Sequence, residues 1–341
     1  MRIQVNARNR GYDFEALPGE KVLYAGLRAG IDLPYECATG TCGTCKATVV
    51  SGRVCDGWSA APGKKFVKPA ANEFLMCQCA AEEALTLEVS KFVYPMDAGA
   101  CVPQKSVAML RSPRALTHDV MSFALEFDEP CDFDAGQFIL LAPEGVSGYR
   151  GYSMCNFARG RRSLDFIVKK KPDGGFSQWL FGGKRDGARV ETFGPLGKAT
   201  FDPALGKNLL LIAGGSGIAG MMSILARAEE AQYFARHRGW LFFGVRTMRD
   251  VIFLDELSRY ANQVQVTVAL SEEVPPAKTP WPQLRFESGL VHEVAKRAMA
   301  GKYQDVRAYI AGPPPAVDAA IRVLLLEAKL TTDNIRYDKY S

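Results

Sequence analysis

Histidine is scarce in this chain. Only three occur in 341 residues, His118, His237 and His292, and none stands two residues after a cysteine. A Rieske-type ligand pair is therefore excluded, and a histidine-built non-haem iron site would have to recruit all three from distant elements. Each reads as an ordinary surface or capping histidine. A strong charge of one sign is also missing. Forty-two Lys and Arg against 37 Asp and Glu leave +5, far from the balance of a nucleic-acid or membrane-surface binder. Lys169-Lys170-Lys171 and the basic run at 159–162 read as solvated strand ends. No apolar leader is apparent, since residues 1–10 are polar and basic. The uncharged stretch 208–226 is nearly long enough to span a bilayer, but Gly214, Gly215, Gly217 and Gly220 break it into a buried strand, a turn and a helix start. The nine cysteines are an odd number, so a reducing cytoplasm is expected rather than a disulfide framework.

What is present begins with cysteine spacing. Cys37, Cys42 and Cys45 form Cys-x4-Cys-x2-Cys on a loop that also holds Gly40 and Gly43, and Cys77-Gln78-Cys79 follows far downstream. A structural zinc site would use two close pairs, and these are absent. The spacing is that of the plant-type [2Fe–2S] set, in which a tight loop gives three thiolates and a distant residue the fourth. Such a cluster moves one electron at a time. Cys55, Cys101, Cys131 and Cys155 read as structural or incidental thiols.

The length calls for two or three domains, and the pattern changes twice. Residues 1–95 read as strand, strand, helix and further strands around the cysteine loop, which predicts a small β-grasp fold. Residues 96–104, with Pro103 and Gly99, read as a linker. Residues 105–203 carry short alternating runs separated by Gly, Pro and Asp, an antiparallel barrel or sandwich pattern. Residues 204–341 alternate apolar strands with helices, which predicts an open doubly wound parallel sheet. Each half carries its own apolar pattern, so the units are expected to be separable at the linker.

Two motif groups suggest cofactors. Arg150-Gly151-Tyr152-Ser153 offers a cation, an aromatic face and a hydroxyl, as a flavin requires, and Gly174-Gly175-Phe176-Ser177 opens a short helix with backbone N–H groups suited to phosphate. Gly214-Gly215-Ser216-Gly217 follows the first apolar strand of the last unit, where a backbone can approach a pyrophosphate, and Ala311-Gly312-Pro313-Pro314 ends a later one. The chain thus has an electron entry and a one-electron exit but no place to use electrons on oxygen, so they must pass to another protein.

The order of these motifs resembles the iron–sulfur flavoprotein reductases that feed bacterial aromatic and hydrocarbon oxygenases, in which a plant-type ferredoxin precedes a ferredoxin–NADP reductase-like module. The resemblance covers essentially the whole chain. It rests on the cysteine set and the segments above, together with Gly136-Gln137-Phe138, Gly194-Pro195-Leu196-Gly197, Gly244-Val245-Arg246 and Gly312-Pro313-Pro314. Residues 176–183 and 246–257 look especially like the xylene monooxygenase reductase branch.

The resemblance implies a Greek-key FAD barrel, a Rossmann-like NAD unit and NADH as donor. Cys77, not Cys79, becomes the fourth ligand. Gln137 joins the flavin contacts, and Arg246, Phe253, Ala311 and Gly312 join the nucleotide contacts. Ser153 and Tyr340 stand at the hydride-transfer site, with Tyr340 covering the flavin face. The implied partner of this monomer is a terminal oxygenase component, reached directly or through an intermediate ferredoxin. Three positions depart from the pattern: Ala311 replaces Cys, Gly220 replaces Pro and Ala316 replaces Met. The first is expected to affect the hydride-transfer rate rather than cofactor binding. Two alternatives stay open, a reductase serving a non-oxygenase such as a deoxysugar-forming dehydratase, and a redox-sensing or scaffold subunit without NADH oxidation.

Overall fold

The computed structural model describes residues 1–340. In the first unit, β1 (Arg2–Ala7) and β2 (Gly11–Glu15) form a hairpin, and α1 (Val22–Arg28) buries six of its seven residues before stopping at Gly30. The strands β3 (Lys46–Ser51), β4 (Val54–Asp56), β5 (Glu73–Leu75), β6 (Cys79–Ala81) and β7 (Leu85–Val89) follow. Five of these seven strands build one sheet in the order β2-β1-β7-β3-β5, with only β1 and β7 parallel. Ile3 and Val5 alternate with exposed residues and face the core. This is the β-grasp arrangement anticipated from the pattern.

The second unit contains β8 (Gln104–Ala115), β9 (Val120–Phe127), β10 (Phe138–Pro143), β11 (Arg150–Ser153), β12 (Ser163–Lys169), α2 (Gly175–Phe181) and β13 (Arg189–Leu196). All pairings are antiparallel, in the order β11-β10-β13-β8-β9-β12. The non-sequential neighbours β10–β13 and β9–β12 make the Greek-key connections. The two edges meet where the Cys155 N–H donates to the Asp165 carbonyl at 2.8 Å, which closes the barrel.

The third unit contains β14 (Asn208–Gly214), α3 (Ile218–Glu230), β15 (Gly239–Val245), α4 (Leu254–Tyr260), β16 (Gln265–Leu270), β17 (Arg285–Ser288), α5 (Val291–Ala298), β18 (Val306–Gly312), α6 (Pro314–Arg322) and β19 (Ile335–Lys339). Its six strands are parallel, ordered β17-β16-β15-β14-β18-β19. Leu209 and Leu211 face the side covered by α3 and α4, and Leu210 and Ile212 face the side covered by α5 and α6. Strand order reverses between β14 and β18, the point where such sheets bind ligands beyond the strand ends.

The separate cores expected on either side of the linker are not what forms. Phe138, Leu140, Phe193 and Leu196 of the barrel join the core of the first unit, and the Tyr24 ring stacks on Phe193 at 4.6 Å. A sequence pattern shows that a strand face is apolar but not which unit covers it. The linker is partly docked as well, since the Met96 N–H donates to the Gly30 carbonyl at 2.7 Å. Helix α4 starts at Leu254, after Phe253 at φ +60°. No helix among the described residues is long and apolar enough to cross a membrane.

Candidate functional site

A cavity of about 1030 Å³ lies where the three units meet. It is lined by Cys37 of the cysteine loop, by Arg150 to Ser153 of β11, and by Gly214, Gly215 and Ser216 at the end of β14.

On the first wall the cysteine loop has no strand or helix of its own. The N–H groups of Thr39, Thr41 and Cys42 donate to Cys37 Sγ, each at 3.4 Å, and the Thr44 N–H donates to Cys42 Sγ at 3.5 Å. Cys45 Sγ and Cys77 Sγ are buried 3.2 Å apart, and Gln78 Nε2 donates to Cys77 Sγ at 3.4 Å. Cys42 and the surrounding hydrogen-bond donors hold the Cys37 thiol well below its ordinary range. Donors aimed at the sulfurs of Cys37, Cys42 and Cys77 favour thiolate, the form that binds iron, and with Cys45 beside Cys77 the four side chains fit an iron–sulfur cluster. Cys79 lies outside this group on β6, and burial pushes its thiol up to about 11.

The barrel wall is preorganised by aromatic packing. The Tyr152 ring sits 4.8 Å from Phe176, which is itself buried and 5.7 Å from Trp179. Arg150 lines the cavity and has no carboxylate partner among the described residues. The Lys171 N–H donates to Ser177 Oγ at 3.0 Å, and that hydroxyl lies 3.0 Å from the Gly174 carbonyl, which staples the 171–177 turn. Ser153 Oγ and Tyr340 OH are 2.9 Å apart, linking β11 to the residue after β19. The Tyr340 N–H donates to the Gly312 carbonyl at 2.9 Å.

On the third wall, glycine allows a close approach of two strand ends. A Cβ on Gly217 would lie 2.2 Å from the Ala311 carbonyl oxygen. Gly312 has φ +148°, and a Cβ there would lie 2.9 Å from the Gly214 oxygen. Arg246 reaches the cavity from the end of β15.

Several residues singled out from sequence stand off the cavity wall. Gln137 spends its Oε1 on the Asp134 N–H at 2.7 Å and so holds a turn. Gly175 lies behind Gly174, and Gly217 and Gly312 serve strand-end packing. Phe253 packs against the core of the third unit. Ala311 lines a second space of about 10 Å³, shared with Gly220, Ser153, Asp338 and Tyr340.

The chain matches three family models: a 2Fe-2S iron-sulfur cluster binding domain over residues 5–82, an oxidoreductase FAD-binding domain over 108–201 and an oxidoreductase NAD-binding domain over 211–322. It is 34% identical to the ferredoxin–NAD(P)+ reductase CarAd of Metapseudomonas resinovorans, over 94% of this chain and 95% of that protein. It is 33% identical to the xylene/toluene monooxygenase electron transfer component XylA of Pseudomonas putida, over 93% of this chain and 87% of that one. The solved structure of the ferredoxin reductase in carbazole 1,9a-dioxygenase superposes with a TM-score of 0.84 at 32% identity, covering 100% of this chain and 99% of the other. The chain belongs to the iron–sulfur flavoprotein reductases of multicomponent oxygenases.

Within this reductase, two of the positions expected to depart from the family pattern fall together. Gly220 and Ala311 line the same small space behind the Ser153–Tyr340 pair. The third, Ala316, faces the main cavity.

Other features escaped the sequence reading. Lys169, Lys170 and Lys171 are the solvated strand end expected, with Lys170 and Lys171 exposed, but they also line the cavity. Asp119 pairs with Lys169 at 2.7 Å, while Lys170 and Lys171 have no carboxylate partner among the described residues. Asp338 stands on the cavity wall near Cys37, and loss of water, reinforced by the Cys37 and Glu36 charges, pushes its carboxyl up to about 7. His118 is not an isolated surface residue. Its Nε2 lies 3.7 Å from Asp119 and 3.9 Å from Asp250, at the joint of barrel and nucleotide unit. Burial relative to a strand end depends on the neighbouring unit, which local pattern does not encode.

Proposed function

We propose that this reductase takes electrons from NADH and delivers them singly to the terminal oxygenase component of an aromatic or hydrocarbon hydroxylating system, directly or through an intermediate ferredoxin. The single observation that carries the reading is the shared cavity, which brings the cysteine loop, the Arg150–Ser153 strand and the Gly214–Ser216 turn to one space. Bound FAD and the [2Fe–2S] cluster supply the conversion of a two-electron donor into single electrons.

The chain's own groups do the holding and shielding. Cys37, Cys42, Cys45 and Cys77 hold the cluster. Arg150, with Lys170 and Lys171, meets phosphate charge, and Tyr152 lies along the flavin. Ser153 would offer a hydroxyl to the flavin ring, held by its hydrogen bond to Tyr340, and the Tyr340 side chain would shield that part of the cavity from water. Gly214, Gly215 and Ser216 approach the donor's pyrophosphate, and Arg246 lies at its ribose end.

NADH is assigned over NADPH although Arg246 could meet a 2′-phosphate, because Glu272 and Glu273 stand beside that loop: the Glu272 N–H donates to the Arg246 carbonyl at 2.9 Å and Glu273 accepts the Met248 N–H at 2.7 Å. The units are assigned to residues 1–95, 105–203 and 204–341, joined by 96–104, in a monomer working in a reducing cytoplasm that suits nine cysteines with no disulfide among them.

The test is anaerobic addition of NADH to the purified holoprotein, followed by a panel of acceptors. Bleaching of flavin and cluster absorbance with a reduced oxygenase supports the reading. A catalytic efficiency with NADPH equal to or above that with NADH overturns the donor assignment, and an inert spectrum points to the scaffold alternative. Reduction of a dehydratase but no oxygenase replaces the acceptor.

A further inference from the structure

The ferredoxin unit extends a segment over the flavin side of the cavity. Between β4 and β5 the chain makes two short turns of 3-10 helix, Pro62–Phe66 and Pro69–Ala71. The first is anchored twice. The Asp56 carboxylate accepts the Trp58 N–H at 3.1 Å and pairs with the Lys64 ammonium. The Gly63 N–H donates to the Gly40 carbonyl at 2.8 Å, which ties the segment to the cysteine loop. Trp58, Pro62 and Lys65 line the cavity. Across the boundary between units, the Arg150 guanidinium carbon lies 5.9 Å from the centre of the Trp58 ring. Lys64 and Lys169 are paired with carboxylates. Lys65 and Arg150 have no carboxylate partner among the described residues, although both face the cavity.

We propose that Lys65 of the ferredoxin unit is a flavin-binding residue and that Trp58 positions Arg150 for the flavin phosphates. This rests on the FAD reading above and extends the flavin site beyond the barrel. Trp58 holds the Arg150 guanidinium by a cation–π contact and screens it from solvent, and Lys65 brings a second positive charge to the phosphates. The site is complete only with the ferredoxin unit docked, because its walls come from two units. The same segment touches the cysteine loop, so flavin binding and cluster position are fixed by one piece of chain.

The test uses the full chain freed of FAD, with affinity read by fluorescence titration of added FAD and the cluster's visible spectrum confirming an intact ferredoxin unit. Trp58→Ala is expected to weaken FAD binding roughly tenfold, with Trp58→Phe recovering most of the loss. Lys65→Ala is expected to weaken it roughly fivefold at low salt, with the difference shrinking as salt screens the charge. Lys68→Ala, on the same segment but off the cavity, is expected to match the parent. Affinities of Trp58→Ala and Lys65→Ala both within twofold of the parent, with the cluster spectrum unchanged, overturn the proposal and leave the FAD reading standing. A parent protein that takes up no FAD overturns both. Lys65 is exposed, so its variant decides the matter even where Trp58→Ala fails to fold.

Discussion

The cysteine loop around residues 35–46 and the turn at 214–218 both line the cavity, but different forces shape them. The loop has no ladder of its own. Thr39, Thr41 and Cys42 spend their N–H groups on one sulfur. The turn is fixed before any ligand arrives, because β14 pairs with β15 and β18 along its length and Gly217 and Gly312 let the strand ends touch. A site made of irregular chain depends on metal–ligand bonds for its order, whereas a site at the edge of a parallel sheet inherits its shape from the core. Disturbances to the two should therefore read out differently.

The largest effect is expected from removing a loop ligand. Cys77→Ser should abolish the paramagnetic signal of the reduced cluster and loosen the ferredoxin unit, while the flavin spectrum survives. A full, unchanged signal would remove Cys77 from the ligand set. Next comes a fragment beginning at Pro103. It should bind FAD more weakly for want of Trp58 and Lys65, still reduce ferricyanide with NADH when FAD is supplied in excess, and lose NADH-driven cytochrome c reduction, because the one-electron exit is gone. Undiminished cytochrome c reduction would show that electrons leave directly from the flavin. The fragment should also associate with itself, because Phe138, Leu140, Phe193 and Leu196 lose their cover.

On the nucleotide side, Gly217→Ala should cost about 1–3 kcal/mol through overpacking against the Ala311 carbonyl. It should lower the melting temperature and raise the KM for NADH without altering the cluster signal. A melting point equal to the parent's would show that the strand ends separate easily. The smallest effect concerns Asp338. Its carboxyl is pushed up to about 7, above an unfolded value of about 3.9. The folded protein therefore binds this proton more tightly. The stability it adds is fully present below about pH 4 and is lost as the pH rises through 7. Asp338→Asn should then melt progressively higher than the parent between pH 4 and pH 8. A constant difference across that range would show that the carboxyl does not titrate there.

The sequence disclosed the parts that repeat with a period or a fixed spacing. Strands β14, β15 and β18 are mostly apolar runs, broken by Asn208 and Arg307 near their starts, and the cysteine set has its own spacing. Strand β8 escaped notice because it is bulged, with its register shifting between Arg111 and Arg114 and Ser112 at φ +50°. Strand β17 is a four-residue edge strand with no fully buried residue. The Arg150–Ser153 group was legible as chemistry. The partners that complete the site were not, because Asp338 and Trp58 reach the cavity from other units. Ala311 and Gly220 were each visible as a departure, but that they share one small space is a fact of three dimensions.

The barrel has a place in the molecule that the order of the units along the chain does not suggest. One of its faces is continuous with the ferredoxin core through Phe193. Another is continuous with the nucleotide core through Val120, Ala135, Ile167 and Phe201. The two outer units touch each other through polar contacts such as Tyr337 to Glu36 at 3.3 Å, with no shared core among the described residues. Heat or denaturant that melts the barrel therefore frees both ends at once, whereas either end can open while the barrel stays folded. Cooperativity in this chain radiates from its middle, so damage in the barrel is felt throughout and damage at either end stays local.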